Sequence, residues 1–310
     1  MNTPFDITIL GTSSATPTRS RHPSSQYIKL DGHHLLIDCG EGTQRQLLRH
    51  GLRAGRISHI FISHLHGDHF FGLPGLISTL NLNGHREALH IVGPAALQEA
   101  IELLLRLSDV TLAFPLHFIP TQTDGIETVY ETAECKVESV PLQHRIPCTG
   151  FIVREKTAAR KLNREACNEH DVPYQAYESL LQGADFYRSD GTLIANAALT
   201  YPGRKARSYA YISDTLYLPE LSMQLRDIDL LYHESTFDSS RSQRAAETFH
   251  STAAQAAAFA RDCGVGQLLL GHFSARYRET DILLEEACAV FPNSRIAEEG
   301  KTYSPGESAV

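Results

Sequence analysis

The run Ile60-Phe61-Ile62-Ser63-His64-Leu65-His66-Gly67-Asp68-His69-Phe70-Phe71-Gly72-Leu73-Pro74-Gly75 decides how the rest of the chain is read. Four metal-type side chains crowd into the six residues His64-x-His66-x-Asp68-His69. Ile57, Ile60, Phe61 and Ile62 lead in with the β-branched content of a buried strand. The box therefore sits where a strand ends and a helix begins. In extended backbone, residues two apart point to the same side, so His64 and His66 can grip one cation. Gly67 is expected to free the turn, letting Asp68 and His69 face a second cation. Imidazole and carboxylate suit zinc, and two ions roughly 3.5–4 Å apart form a common hydrolytic site. A His-rich surface loop is the blander reading, but such loops rarely abut so apolar a strand.

The chain has 310 residues, 42% of them hydrophobic, which permits a sizeable core without disulfide staples. Cys39, Cys135, Cys148, Cys167, Cys263 and Cys288 are scattered and form no C-x-x-C pair. They read as buried apolar thiols in a reducing cytosol. Residues 1–10 lack the basic start and apolar run of a targeting signal, and no stretch is apolar enough for a membrane span. The expectation is a soluble, cytoplasmic protein with no membrane partner. A formal charge of −8 does not advertise nucleic-acid binding over the whole surface. A polyanion must then be held by a local basic patch or by the metals.

Outward from the box, Phe5 to Leu10 alternates like a strand and runs into the small polar loop Gly11 to Pro17. That loop either presents backbone N–H groups to a phosphate or is a plain turn. Tyr27 to Leu30 and His34 to Ile37 read as a hairpin about Asp31-Gly32. Helices are expected at Thr43 to His50, Leu73 to Leu80, Ala95 to Leu107, Ala253 to Cys263 and Glu279 to Phe291. Strands are expected at 89–92, 116–119, 127–130, 135–141, 150–154, 208–212, 267–270 and 295–297. Such alternation suggests helices packed outside paired sheets, an α/β fold.

Several polar residues share one position, just past an apolar strand. Asp214 follows YAYIS, His233 follows LLY, His272 follows LLLG, and His144 follows VESVPL. Strand ends gather on one rim of a sheet, so these residues can meet the box although distant in sequence. Two more histidines and an aspartate would complete two metal shells; His233 reads as structural.

These motifs carry a resemblance. The box with a later His, a later Asp and a last His resembles the metallo-β-lactamase superfamily. ILGTSSATPT, IDCGEGTQRQL, SHLHGDHFFGLPGL, YISDT, YHESTF (232–237), FHST (249–252) and GHFSARY (271–277) narrow it to the ribonuclease Z family. The resemblance covers nearly the whole chain and implies an αββα metallo-β-lactamase sandwich with an inserted flexible arm. It implies a zinc endoribonuclease that removes the 3′ trailer from precursor tRNA and leaves a 3′-hydroxyl. By position, His64, His66 and His144 would hold one Zn²⁺, Asp68, His69 and His272 the other, and Asp214 would bridge them. Two cations against two carboxylates leave net positive charge, which lowers the pKa of a shared water to about 7 and supplies hydroxide to attack the phosphodiester. Asp68 would orient and deprotonate that water. His250 would give a proton to the leaving ribose oxygen, with Glu234 fixing its tautomer.

The domain reading follows: residues 1–153 and 206–310 form the core, and 154–205 the tRNA-binding arm. A short helix is expected within the arm, from Ala158 to Glu169. Residues 154–207 hold nine basic and seven acidic side chains, against the acidic whole. The resemblance also implies a homodimer, one subunit's arm serving the other's active site. The usual glycine- and proline-rich arm motif is reduced here to Val172-Pro173-Tyr174 and Gly183. Two rivals remain at this level. One is a small-molecule phosphodiesterase or a thioester or lactam hydrolase on the same scaffold, which would not need a basic projection. The other is an RNA-binding relative without metals, which the filled ligand positions disfavour.

Overall fold

Strand Phe5–Gly11 shows how the layers arise: Phe5, Ile7 and Ile9 face one hydrophobic layer, and Leu10 faces the opposite one. The computed structural model of the chain describes residues 4–157 and 160–307. Its contacts divide it into two units. One comprises the residues up to Glu131, Cys135–Arg154 and those from Arg207 on; the other comprises Thr132–Glu134 and Glu155–Ala206.

The first unit holds two seven-stranded sheets. One runs Thr302–Tyr303, Phe5–Gly11, Ser25–Leu30, His33–Cys39, His59–Phe61, Leu89–Gly93, Leu116–Pro120 from edge to edge. The other runs Ser294–Ile296, Gln267–Gly271, Leu230–Glu234, Ser208–Ile212, Cys148–Glu155, Cys135–Leu142, Glu127–Glu131. Alternation divides each strand between two layers. Leu35, Ile37, Phe61, Tyr209, Tyr211 and Tyr232 pack between the sheets. Leu36, Ile60 and Ile62 turn outward onto helices Thr43–Arg49, Leu73–Leu82 and Ala96–Leu107. Ala210, Ile212, Leu268 and Leu270 turn outward onto helices Ala253–Cys263 and Asp281–Val290. The result is the four-layer αββα sandwich that the alternation implies.

The second unit has its own small core of Cys167, Val172, Leu180, Ile194 and Leu199. Asn196 ties it together, its Nδ2 donating to the carbonyls of Leu180 (2.8 Å) and Ala184 (2.7 Å). The expected helix from Ala158 needs correcting. Residues 158–159 lie outside the described residues, Lys161–Leu162 is a strand paired with Thr200–Tyr201, and the helix spans Arg164–Glu169 behind its Asn163 cap. Asn163 accepts from the Ala166 N–H, which stops the helix extending backwards.

Other expectations also shift. The strand leading into the box is only His59–Phe61, and a one-turn helix, Gly67–Phe70, follows. A helix at Ser242–Glu247 and the edge strand Thr302–Tyr303 carry too few apolar residues to show a period. Gly67 serves a different purpose from the one expected. Its φ is not left-handed; instead a Cβ there would lie 2.3 Å from the Phe71 ring. A side chain there would have to displace the exposed Phe71 ring, so close approach and not turn freedom is what the glycine serves. Five of the six cysteines are buried, Cys288 is half-buried, and none forms a disulfide. No helix of the described residues is long and apolar enough to cross a membrane.

Candidate metal centre

The centre is built from strand ends. Strands His33–Cys39, His59–Phe61 and Leu89–Gly93 run parallel in one sheet. Ser208–Ile212, Leu230–Glu234 and Gln267–Gly271 run parallel in the other. Their carboxyl ends carry Asp38, His64, Asp214, Glu234 and His272. Cys148–Glu155 is antiparallel to Ser208–Ile212, so the turn before it brings His144 to the same rim. Asp38, Asp214 and His272 all adopt left-handed φ, at 55°, 57° and 56°. Three non-glycine residues held this way at one rim mark a place where geometry is imposed on the backbone.

All seven expected ligands meet here. Nε2 of His64 lies 3.0 Å from Nδ1 of His66, and Nε2 of His144 lies 3.1 Å from that same atom. Asp214 Oδ2 is 3.1 Å from His69 Nε2 and 3.2 Å from His272 Nε2. Asp68 Oδ2 is 3.4 Å from His69 Nε2 and 3.6 Å from His272 Nε2. Asp214 Oδ1 reaches toward the first group, 3.9 Å from His64 Nε2. Ligands of a tetrahedral zinc with bonds of ≈2.0–2.1 Å stand about 3.3 Å apart, so these spacings fit. Nε2 of His69 and of His272 is buried and makes no hydrogen bond, which is the signature of an atom reserved for a cation.

The outer ring nitrogens are engaged, which fixes which nitrogen faces inward. His69 Nδ1 donates to Asp38 Oδ2 (2.7 Å), and His144 Nδ1 donates to the Phe249 carbonyl (3.1 Å). His272 Nδ1 lies 3.0 Å from Thr236 Oγ1, and His64 Nδ1 lies 3.0 Å from Ser63 Oγ. Asp38 is itself locked by the Ser63 N–H and hydroxyl and by the Tyr211 hydroxyl (2.8, 2.9 and 2.7 Å). The polar loop after Phe5–Gly11 turns its Ala15 N–H onto Asp68 Oδ2, at 2.7 Å. That donor therefore positions the carboxylate of a candidate ligand.

Electrostatics sorts the groups. Burial, with His69 nearby, pulls His64 well below the usual histidine range, and burial lowers His66 and His144. These three are neutral imidazoles, the form a cation requires. Burial opposes a charge on His69, yet Asp214, Asp68 and Asp38 outweigh it and raise that ring. Burial likewise opposes charge on Asp68 and Asp214, but the facing imidazoles hold both carboxyls below the usual range. To hold a cation here, His69 would give up a proton, and Asp68 and Asp214 would offer two ready carboxylates.

Beside this group His250 Nδ1 donates to Glu234 Oε1 at 3.0 Å. Burial works against charging His250, but Glu234 and then Asp214 raise it to about 9. Glu234 thus favours the doubly protonated ring, which has a proton to give. His233 is buried, bonds the Glu234 carbonyl at 2.7 Å and packs on Phe259, a structural role. A cavity of about 390 Å³ opens over the ligands, and Phe71 and Arg145 stand on its wall. Sequence alone does not single out Asp38, Thr236, Arg145 or Phe71. For Asp38 a signal exists, since it is one more carboxylate at a strand end.

The chain is similar to known proteins over nearly its whole length. The family model for the anti-Pycsar protein Apyc1 matches residues 5–158. Ribonuclease Z of Bacteroides fragilis (strain YCH46) is 46% identical over 300 residues, covering 97% of this chain and 99% of that protein. Ribonuclease Z of Porphyromonas gingivalis (strain W83) is 44% identical over 295 residues, covering 95% and 97%. The crystal structure of human tRNase Z, short form, superposes with a TM-score of 0.69 at 29% identity, covering 97% of this chain and 100% of that one. The metallo-β-lactamase fold protein YhfI from Bacillus subtilis, at 19% identity and TM-score 0.69, shares the fold. With nearly the whole chain aligned at this identity, and the ligand set meeting at one sheet rim, the chain belongs to the ribonuclease Z family of the metallo-β-lactamase fold.

Proposed function

We propose that the chain is a zinc-dependent endoribonuclease that removes the 3′ trailer from precursor tRNA, with two Zn²⁺ per subunit. The observation that carries this is the meeting of His64, His66, Asp68, His69, His144, Asp214 and His272 beside the His250–Glu234 pair. Bound cations supply the positive charge that acidifies a water and neutralises the phosphate. The chain's own groups do the rest. Asp68, held by the Ala15 N–H, orients the attacking water and takes its proton. Glu234 accepts from His250 Nδ1, so the opposite nitrogen presents a proton to the leaving ribose oxygen. Asp214 spans the two ligand groups and so sets their separation.

The unit at Glu155–Ala206 is proposed as the tRNA-binding arm. Seven basic and seven acidic side chains balance over it, so its support is the basic run at its start, Lys156, Arg160, Lys161 and Arg164, with Lys161 and Arg164 exposed. A homodimer is supported by apolar surface: Leu48, Leu82 and Leu107, on three helices covering one sheet, are 73%, 85% and 74% exposed. A cytoplasmic location agrees with six cysteines that form no disulfide.

The test is incubation of a precursor tRNA with the purified protein, with and without a chelator, and mapping of the new 3′ ends. Cleavage at the trailer junction, lost on chelation and restored by zinc, is expected. An intact precursor, or cleavage indifferent to chelator, would sink the proposal.

A further inference from the structure

A second cleft, of about 670 Å³, lies beside the metal cavity. The two share their dividing walls. Leu65 lines the cleft while its neighbour His66 lines the metal cavity; Ile146 and Pro147 line the cleft while His144 and Arg145 line the metal cavity. A chain held at the metals therefore reaches the cleft within one residue's width. The volume falls in the roughly 300–1,000 Å³ range of small-ligand sites.

The lining is of two kinds. Leu65, Pro94, Ile146 and Pro147 present flat or branched hydrocarbon. Thr121 to Asp124 present hydroxyl, amide and carboxylate groups, and the side chains of Thr121, Gln122 and Thr123 make no hydrogen bond among the described residues. Apolar side chains for stacking, together with donors and acceptors for an edge, are how proteins hold an unstacked base. Asp124 repels a phosphate but accepts from a base amino group. Arg145, on the metal side, is exposed and without a partner among the described residues, and its guanidinium suits a phosphate. The polarity runs from phosphate to base across the dividing turn.

We propose that this cleft is a nucleoside subsite. It takes the unpaired base on one side of the scissile phosphate, and Arg145 grips the backbone where the strand crosses between the cavities. The inference rests on the ribonuclease reading above and deepens it.

The test fills the cleft without touching a metal ligand. Ala95→Trp, at an exposed position in the lining, and Thr123→Trp, in its polar stretch, are compared with the unaltered protein. Three precursor tRNAs are used: one intact, and one with an abasic site at each nucleotide flanking the cleavage point. Expected is a drop of about ten-fold in kcat/KM on the intact precursor, in the range of what one stacked base supplies. Hydrolysis of methyl p-nitrophenyl phosphate should stay within about two-fold. One abasic precursor should cost the unaltered protein a similar factor and cost the filled variants nothing more, which also identifies the base. Filled variants that cut at the full rate, or abasic losses equal in every protein, overturn the proposal. So does loss of small-diester hydrolysis in both variants, which would make the cleft part of the metal scaffold. An unaltered protein that cuts no precursor at all takes down the ribonuclease reading itself.

Discussion

Asp38 Oδ2 stands 2.7 Å from His69 Nδ1, and both side chains are fully buried. The contact joins the end of one strand to the helix turn that closes the box. It fixes the His69 tautomer and aims Nε2 at the site. Groups of this kind tune a ligand's basicity and orientation, and their removal costs roughly 10–100-fold in metal affinity or activity. Asp38→Ala should therefore lower zinc affinity by about that factor, measured by competition with a chromophoric chelator. It also strands the Ser63 and Tyr211 donors, so stability should drop by about 1–3 kcal/mol. Unchanged zinc affinity would remove Asp38 from the account.

His250→Ala should slow precursor cleavage by roughly 10²–10⁴-fold with both ions retained. His250 touches the ligand group through Asp214 at 3.9 Å, yet its nearer partner is Glu234. Zinc content by atomic emission separates the roles: parallel loss of metal and rate would move His250 into the ligand shell. Glu234→Gln should give a milder loss. It removes the charge that raises His250, so the alkaline limb of the pH–rate profile should move to lower pH.

Acid stability has a source far from the centre. His59 stacks on His90 (centroids 4.5 Å apart) and against Tyr130 (4.1 Å). Burial, then His90 and His33, lower it to about 4. It is neutral in the fold, and the unfolded chain takes up its proton first. The stability it contributes is present above about pH 6.5 and is lost as pH falls toward 4, at about 1.4 kcal/mol per unit. Urea unfolding at pH 7 and pH 5 should therefore show His59→Phe losing about 2 kcal/mol less than the parent over that interval. Equal losses would show that His59 is not the acid-sensitive group.

Lys161 and Arg164 are exposed and test the proposed arm. Replacing both by Ala should weaken precursor binding and lower the slope of log affinity against log salt by up to about two, one for each phosphate no longer neutralised. Hydrolysis of a small diester should not change. A filter-binding series across salt concentrations reads this directly, and an unaltered slope would exclude these two residues.

The sandwich was legible because buried strands such as YAYIS and LLLG announce themselves and end on polar residues. That rule brings His144, Asp214 and His272 to the rim of the box, but it picks out His233 as well, and the resemblance is what separates ligand from structural histidine. Asp38 obeyed the same rule and was not drawn into the site, because DCGEG looked like a helix start. The arm was illegible for another reason. Its strands are two residues long, so no period develops, and its core rests on single contacts such as Asn196. Arg145 and the second cleft could not be read at all, since a cavity exists only once separate turns have been brought together.

The candidate cation ligands are spread from His64 to His272, and the strand Phe5–Gly11 is zipped by Thr302–Tyr303. A nascent chain still threaded through the ribosome lacks that last imidazole and the strand that carries it. The rim therefore cannot assemble from the first half of the chain; its histidines and aspartates gather only once segments distant in the sequence have paired.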